Sequence, residues 1–166
     1  MPGPSQEFIR EAFAQDTKAV YLVCVKIDHP ALAAIAAEHP DLESPIRVVN
    51  DYQDLVRADG TYKAWAFEYT EPDEGEDAKP RSQISLDNVD RRYIYALRSI
   101  DTPATVTVEI VLAHNPNVVE RSFDEFELVV ADWGRQQILL NIAFRDDDGE
   151  PACAWIYNPA VAPGIY

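Results

Sequence analysis

Three observations predict a mainly β protein, built as a β-sandwich or β-barrel with a few short helices added. Val20–Val25 and Ala104–Ala113 are nearly continuous runs of aliphatic, aromatic and β-branched residues, which is typical of buried strands. Arg81–Asp87 alternates apolar with polar residues, as a half-buried strand does. Clusters of turn-forming residues separate such runs along the chain, and together they predict about eight strands.

The first element is expected to be an amphipathic helix over Ser5–Asp16, within an N-terminal segment of residues 1–17. Apolar residues recur on one helical face here, and Ser5 can cap the first turn. Two of these apolar residues, Phe8 and Phe13, are aromatic and need a partner surface.

The next elements are predicted to be a strand, a small helix and a second strand. The almost unbroken apolar character of Ala19–Ile27 predicts a central strand that is covered on both faces. The alanine-rich segment Ala31–Glu38 lies between two His-Pro pairs and has helical propensity. A short β-prone run, Ile46–Asn50, follows it.

A β-hairpin is expected around Gly60, because glycine allows the positive φ that a tight turn needs. Its two strands are predicted over Asp54–Arg57 and Thr61–Tyr69, and both faces of the second strand carry aromatic residues. The acidic segment Glu71–Pro80, which has two prolines and no core residue, predicts a solvated loop.

Arg81–His114 is predicted to form a strand, a short helix and a second strand. The helix is expected over Arg91–Ser99, after a capping segment at Asn88–Asp90, and proline at position 103 prevents its continuation. The second strand, Ala104–Ala113, has the strongest β-character in the chain.

The last third of the chain predicts further strands and an extended tail. Val118–Phe126 is a weaker strand with a break, and Glu127–Trp133 and Gln136–Phe144 are expected to form a second hairpin. An acidic turn is predicted at Asp146–Glu150. Residues 151–166 combine three prolines with aromatic anchors, so an extended C-terminal arm is expected.

Length and charge restrict the class of protein. A chain of 166 residues suits one domain, and 29 acidic against 14 basic residues give a net charge of -15. Such a charge repels phosphate, so specific nucleic-acid binding and attachment to anionic membranes are not expected. No apolar run approaches the roughly 18 residues of a membrane span. The N-terminus lacks the features of a signal peptide, so a soluble protein made in the cytoplasm is expected.

No motif points to catalysis, a cofactor or a metal. The histidines at positions 29, 39 and 114 lie at predicted element ends and lack zinc-site spacing, and no phosphate-binding glycine loop is present. The acidic cluster Asp146–Glu150 lacks the register of a calcium loop. Cys24 and Cys153 are expected to be free thiols, with a disulfide between them as the less favoured alternative. The sequence therefore predicts a protein that is not an enzyme and carries no cofactor.

Several segments, in this order, resemble a known group of proteins. They are Pro45–Asp51, Gly60–Tyr62, Ile84–Asp90, Ala96–Ser99, Val106–Leu112 and Asn158–Tyr166. As a set they resemble a family of small phage and prophage tail proteins of unknown function, encoded among tail-tip genes. The resemblance extends from Phe8 onward, although Ala31–Ser44 is longer than the family leads us to expect. It implies a virion structural protein of the tail tip or baseplate.

The strand–helix–strand unit Arg81–His114 also resembles the central unit of tail-tube and tail-hub β-barrel modules. In those assemblies neighbouring subunits join their sheets into a ring, and the analogy implies about six copies here. The partners implied are therefore the chain itself and neighbouring tail proteins. An acidic lumen would let DNA pass without holding it.

Two other functions stay open at this point. One is a tail assembly chaperone that is absent from the mature virion, and the other, less favoured, is a tail-associated cell-wall hydrolase. For a structural protein, the expected contacts are aromatic and basic side chains at the chain ends and on the helix of the strand–helix–strand unit. These are Phe8, Phe13, Arg91, Tyr95, Arg98, Trp155, Tyr157 and Tyr166. The two arginines are expected either to pair with nearby acidic residues of their own chain, as on an ordinary surface helix, or to meet the acidic surface of a neighbouring copy.

Overall fold

The structure is a computed structural model, and it describes residues 3–39, 42–72, 81–87, 91–133 and 137–144. These ranges contain three helices, α1 (Gln6–Ala12), α2 (Pro30–Glu38) and α3 (Arg91–Arg98). They also contain nine strands: β1 (Tyr21–Asp28), β2 (Ile46–Val49), β3 (Leu55–Arg57), β4 (Gly60–Ala64), β5 (Phe67–Thr70), β6 (Arg81–Asp87), β7 (Thr105–Leu112), β8 (Asn115–Trp133) and β9 (Gln137–Phe144).

All nine strands belong to one mixed sheet in the order β3-β4-β2-β1-β7-β8-β9-β6-β5. The 19-residue β8 is shared by two halves of this sheet. Its first part, Asn115–Glu127, pairs with β7, and its second part, Phe126–Trp133, pairs with β9. The sheet therefore changes partners at Phe126, with β3-β4-β2-β1-β7 on one side and β9-β6-β5 on the other.

The core lies between these two halves. Its buried side chains come from the first half (β1, β2 and β7), from the second half (β5, β6 and β9) and from Phe126 of β8, which is fully buried. Two helices add Leu32, Ala96 and Leu97 to the same cluster. Because two sheet halves enclose a common apolar core, the arrangement is that of a sandwich. The predicted fold class, mainly β with a few short helices, is confirmed.

β1 has the central position that its sequence predicted. It pairs with β2 on one edge and with β7 on the other. Val25 and Ile27 face the main core, while Leu22 and Cys24 belong to a second buried cluster on the opposite face of the sheet. Both faces are covered, which explains why the strand is apolar at nearly every position.

The described residues of the segment Ala31–Ser44 contribute to the core. Leu32 of α2 and Leu42 after it are buried in the main cluster. His29 caps α2, because its Nδ1 accepts a hydrogen bond from the Ala31 N–H at 3.1 Å. No helix in the described ranges is long and apolar enough to cross a membrane.

The prediction of one strand over Thr61–Tyr69 was wrong. β4 ends at Ala64 and pairs with β2 and β3, whereas β5 begins at Phe67 and pairs with β6. The chain crosses from one half of the sheet to the other in the two residues between them, where Trp65 packs edge-to-face on Tyr93. Both pieces are β-prone, so local composition does not reveal the crossing.

The prediction of a break within Val118–Phe126 and of a separate strand from Glu127 was also wrong, because β8 is continuous from Asn115 to Trp133. Its pairing with β7 shifts register at three places, between Val106 and Val108 and on both sides of Val111. At a β-bulge two residues of one strand lie opposite a single residue of its partner. The alternation of apolar and polar residues is therefore lost, although the strand continues. Bulges therefore account for the weak pattern of this segment.

Two smaller differences concern the N-terminal third. α1 ends at Ala12 and not at Asp16, because the Ala14 N–H bonds to the Glu11 carbonyl three residues back. The hairpin of β3 and β4 forms as predicted, and Gly60 has the expected positive φ of 139°. The predicted turns at residues 134–135 and 146–150, most of the acidic loop, Cys153 and the arm 151–166 lie outside the described residues.

Candidate self-association surfaces

The N-terminal helix is attached to the sheet by a buried carboxylate. Glu120 of β8 is only 3% exposed, and it accepts hydrogen bonds from the Ser5 N–H at 2.7 Å and from Ser5 Oγ at 2.8 Å. Ser5 Oγ in turn accepts from the Phe8 N–H at 3.1 Å, which is an N-cap. Glu120 lies at a bulge, since its neighbours Val119 and Arg121 pair with β7 and Glu120 does not.

Apolar and charged contacts complete this attachment. The Phe8 ring packs edge-to-face on Tyr21 of β1 with 5.3 Å between centroids. His114 Nε2 lies 3.2 Å from Glu7 Oε1. α1 nevertheless contains no fully buried residue. It is therefore held at a few points, and the rest of its surface is open.

That open surface is apolar in part. Phe13 is 86% exposed and Ile9 is 45% exposed. Of the two aromatic residues predicted to seek a partner, Phe8 is half-buried against its own chain, and Phe13 is the one that a second molecule can cover.

Ser5→Ala is expected to release α1 without unfolding the domain. The substitution removes the N-cap and one donor to Glu120, at a cost of about 1 kcal/mol. Because α1 buries no residue fully, the loss is expected to be local. Hydrogen exchange of the Phe8 amide should speed up several-fold, with little change in the melting temperature.

Two further variants test this attachment. Glu120→Gln should also speed up hydrogen exchange of the Phe8 amide, because it weakens both hydrogen bonds that the carboxylate accepts from Ser5. Ser122→Ala is the control, because the Ser122 hydroxyl donates to nearby Asp124 on the same strand and does not bond to α1. Equal exchange rates in Ser5→Ala and the unaltered chain would show that α1 is held by other contacts.

α3 turns one face toward the main core. Tyr93 and Leu97, which were predicted to lie on its inner side, are buried there together with Ala96. The side chain of Ile94, also predicted to face inward, lies outside the described side chains. Tyr95 is 69% exposed, and Arg98 lies in the last turn with its side chain exposed. Arg91 is the first residue of α3. The predicted contacts Tyr95 and Arg98 thus lie on one accessible helix, while Trp155, Tyr157 and Tyr166 lie outside the described residues.

The sheet offers further surfaces through its edges. β3 and β5 are the outer strands and are short. β8 differs from these two strands. Its first part, Asn115–Asp124, pairs with β7 along one edge, but β9 pairs with the other edge of β8 only from Phe126 onward. Within the described ranges no strand pairs with this second edge, but β3 lies close to it, and the Ala58 N–H after β3 donates to Asn117 Oδ1 of β8 at 2.8 Å.

A buried ion network lies on the opposite face of the sheet from the main core. The Arg57 side chain is 5% exposed, and its Nη1 lies 2.5 Å from Glu109 Oε2. The guanidinium also lies 3.7 Å from Asp59 and over the Tyr62 ring, 5.0 Å from its centroid. Burial alone would lower the pKa of Arg57, but the hydrogen bond and charge of Glu109 raise it. The guanidinium therefore stays charged and fastens the β3–β4 hairpin onto β7.

The same network surrounds Cys24 but does not activate it. Burial raises the pKa of this thiol to about 11, and the nearby Arg57 offsets that rise only in part. A thiol with such a pKa is protonated near neutral pH, so it is a poor nucleophile and metal ligand. Among the residues that the structure describes, no three His, Cys, Asp or Glu side chains are grouped to hold a metal ion.

Sequence patterns did not point to Glu120, Arg57 or Glu109. A single acidic or basic residue in a strand is typical of a position that faces solvent. With 29 acidic residues in the chain, the sequence gives no basis for choosing the one whose side chain is buried. The one available signal was the interruption of the apolar pattern around residue 120, where the bulge lies. Burial of these charges depends on contacts between strands far apart in the chain.

Comparison with known proteins identifies a family. No curated protein matches the sequence. A protein-family model matches residues 19–114, which is more than half of the chain and runs from β1 through β7. This range includes the strand–helix–strand unit of β6, α3 and β7. The chain belongs to the family described as Domain of unknown function DUF1833.

Proposed function

We propose that this protein is a structural component of a phage tail tip or distal tail tube. In this role it assembles with copies of itself into a ring and docks to neighbouring tail proteins. The observation that carries the proposal is the exposure of two large aromatic side chains, Phe13 directly after α1 and Tyr95 on α3.

The exposed aromatic residues support self-association. Phe13, which directly follows α1, is 86% exposed, and Tyr95 on α3 is 69% exposed. Aromatic side chains in such positions are typical of protein interfaces, where they supply large contact areas. The resemblance of the sequence to small tail proteins supports placing this assembly in a phage tail.

Charge supports the choice of contact. Arg91 and Arg98 lie on α3 in a chain whose net charge is -15. Arg91 and Arg98 are seven residues apart in sequence, about two helical turns, and a basic cluster with this spacing can complement the acidic surface of another copy. The remaining acidic surface suits a lumen, because carboxylates repel the phosphates of DNA that passes through. A ring structure with a basic lumen would overturn this part of the proposal.

Light scattering after size-exclusion chromatography, combined with electron microscopy, tests assembly. The expected result is a ring of about six copies, formed by the pure protein or in mixtures with the products of neighbouring genes. Charge reversal at Arg91 and Arg98, or Tyr95→Ser, should reduce the assembled fraction. Tyr52→Ser is the matched control, since Tyr52 is fully exposed on a loop before β3. Unchanged assembly of the α3 variants would exclude α3 as a contact.

Mass spectrometry of purified phage particles separates the proposal from its alternative. A structural component is expected in mature virions, whereas absence from virions would favour a tail assembly chaperone. Cleavage of peptidoglycan by the pure protein would instead favour a cell-wall hydrolase.

A further inference from the structure

Two basic side chains lie next to each other in the first half of the sheet. Lys26 of β1 is directly opposite Arg47 of β2 in the antiparallel pair, so both side chains project from the same face. It is the face that carries Cys24 and the Arg57 network. Like charges directly opposite each other destabilise a sheet. The pair is therefore unfavourable unless a negative group lies near both cations.

Within the described ranges neither cation has an acidic partner. The acids of the neighbouring ion network, Glu109 and Asp59, are engaged by Arg57. Arg47 Nε is buried, and no group in the described part of the chain bonds to it. A Cβ at Gly60 would lie only 3.0 Å from Arg47 Cζ, so the Arg47 guanidinium packs directly against the β3–β4 hairpin. Arg47 is thus held in place while its charge is not neutralised.

Lys26 also lines a cleft of about 440 Å³ at the end of β1, where α2 begins. A volume of this size suits a small organic molecule. Thr107, which lies opposite Lys26 on β7, and Thr105 contribute hydroxyl groups to the wall. Neither hydroxyl has a hydrogen-bond partner among the described residues. The other residues that line the cleft are Asp28, His29, Pro30 and Ala33.

The two other titratable residues of the cleft leave this position to Lys26. His29 Nδ1 accepts a hydrogen bond from the Ala31 N–H, and His29 Nε2 lies 2.7 Å from Thr102 Oγ1, so both ring nitrogens are engaged. Asp28 is exposed and lies two residues beyond Lys26 on β1. Two residues along a strand are about 7 Å apart, so an anion at Lys26 is not forced against the Asp28 carboxylate.

We propose that this cleft binds a small organic anion, whose carboxylate or phosphate group lies between Lys26 and Arg47. Lys26 supplies a compact charge, and Arg47 supplies a planar fork that matches either oxyanion. The hydroxyls of Thr105 and Thr107 bind polar atoms of the rest of the ligand. A concave site of this kind favours a small molecule over the surface of a second protein. The site does not depend on the self-association proposed above.

Nuclear magnetic resonance of the full chain tests the site, with inorganic phosphate and succinate as probes. Each probe is titrated at constant ionic strength, with sodium chloride as the reference. We expect saturable shifts of the Lys26, Arg47 and Thr107 amides with at least one probe and none with chloride alone. The probe that binds more tightly identifies phosphate or carboxylate chemistry. Lys26→Gln and Arg47→Gln should each weaken binding about tenfold, because each removes a charge-assisted hydrogen bond.

Lys63→Gln is the matched control for these variants. It removes the same charge from β4, the strand next to β2, but Lys63 Nζ lies 3.1 Å from Asp54 Oδ2. Its position opposite Val48, a residue of the main core, places Lys63 on the other face of the sheet. The Lys63→Gln protein should therefore bind both probes as the unaltered chain does.

Thermal denaturation gives a second measurement. In buffer without multivalent anions, Lys26→Gln should melt at the same temperature as the unaltered chain or higher, because it removes one of two opposed charges. The probe that binds should raise the melting temperature of the unaltered and Lys63→Gln proteins more than that of Lys26→Gln. A lower melting temperature of Lys26→Gln without anions would show that the lysine serves the fold, and it would overturn the proposal.

Two results of the titrations would also overturn it. One is the absence of saturable shifts with both probes, or equal binding by Lys26→Gln and the unaltered chain. The other is a shift of the same amides with protein concentration alone, which would show that the cations receive a carboxylate of a second copy. Ring formation is measured separately, so neither result decides whether the protein assembles.

Discussion

Phe126→Ala is expected to lower the free energy of unfolding by about 3–5 kcal/mol. Phe126 is fully buried at the point where β8 changes partners, and it pairs with Val106 of β7 and Phe144 of β9. Its ring also lies 4.4 Å from that of Phe144 and 6.1 Å from that of Phe123, measured between centroids. Removal would leave a cavity between the two halves of the sheet. Chemical denaturation followed by circular dichroism measures the loss.

The control for this prediction is Val129→Ala. Val129 lies in the same strand but is 60% exposed, so its truncation should change stability by less than about 0.5 kcal/mol. The loss of stability in Phe126→Leu should lie between those of Phe126→Ala and Val129→Ala, because leucine keeps part of the buried volume. A small effect of Phe126→Ala would mean that the two halves of the sheet are held together mainly by other contacts.

Arg57→Met is expected to destabilise the protein by about 2–4 kcal/mol, because it leaves Glu109 and Asp59 without their buried cation. The Glu109 side chain is 22% exposed, and water can therefore solvate part of its charge. We therefore expect a loss below that of a fully buried pair. Thermal and urea denaturation measure the total loss, and faster hydrogen exchange in β3 and β4 would locate it.

Two comparisons isolate the buried pair. Arg121→Met removes an arginine that bonds Glu71 at 2.9 Å, but both of those side chains are more than 40% exposed. We expect Arg121→Met to lower the free energy of unfolding by less than about 1 kcal/mol. The double variant Arg57→Met with Glu109→Leu should lose less than the sum of the single variants, since it leaves no orphaned charge on Glu109. Additive losses would show that Arg57 acts through packing alone.

The strand–helix–strand unit could be predicted from sequence because its signals are local. Alternating apolar residues form β6, the helical periodicity of Tyr93 and Leu97 forms α3, and a β-branched run forms β7. Short-range patterns of this kind depend only on neighbouring residues in the chain. They can therefore be recognised without knowledge of how distant segments pack. The same holds for β1, whose unbroken apolar run matches burial on both faces.

The errors arose where a long-range contact decides the structure. Nothing local distinguishes a continuous strand over residues 61–69 from two strands that serve different halves of the sheet. The shifts of register in β8 remove the alternation on which the prediction depended. The burial of Glu120 and Arg57 likewise depends on partners 115 and 52 residues away in sequence.

The sequence by itself determined the mainly β class, the order of most elements, the capped N-terminal helix and the inward face of α3. Each of these follows from propensity and periodicity within a few residues. Only the tertiary structure decided which strands pair, that β8 is shared between two halves, and which charges are buried. The physical reason is that pairing and burial are properties of surfaces assembled from distant segments, and one segment contains no information on what covers it.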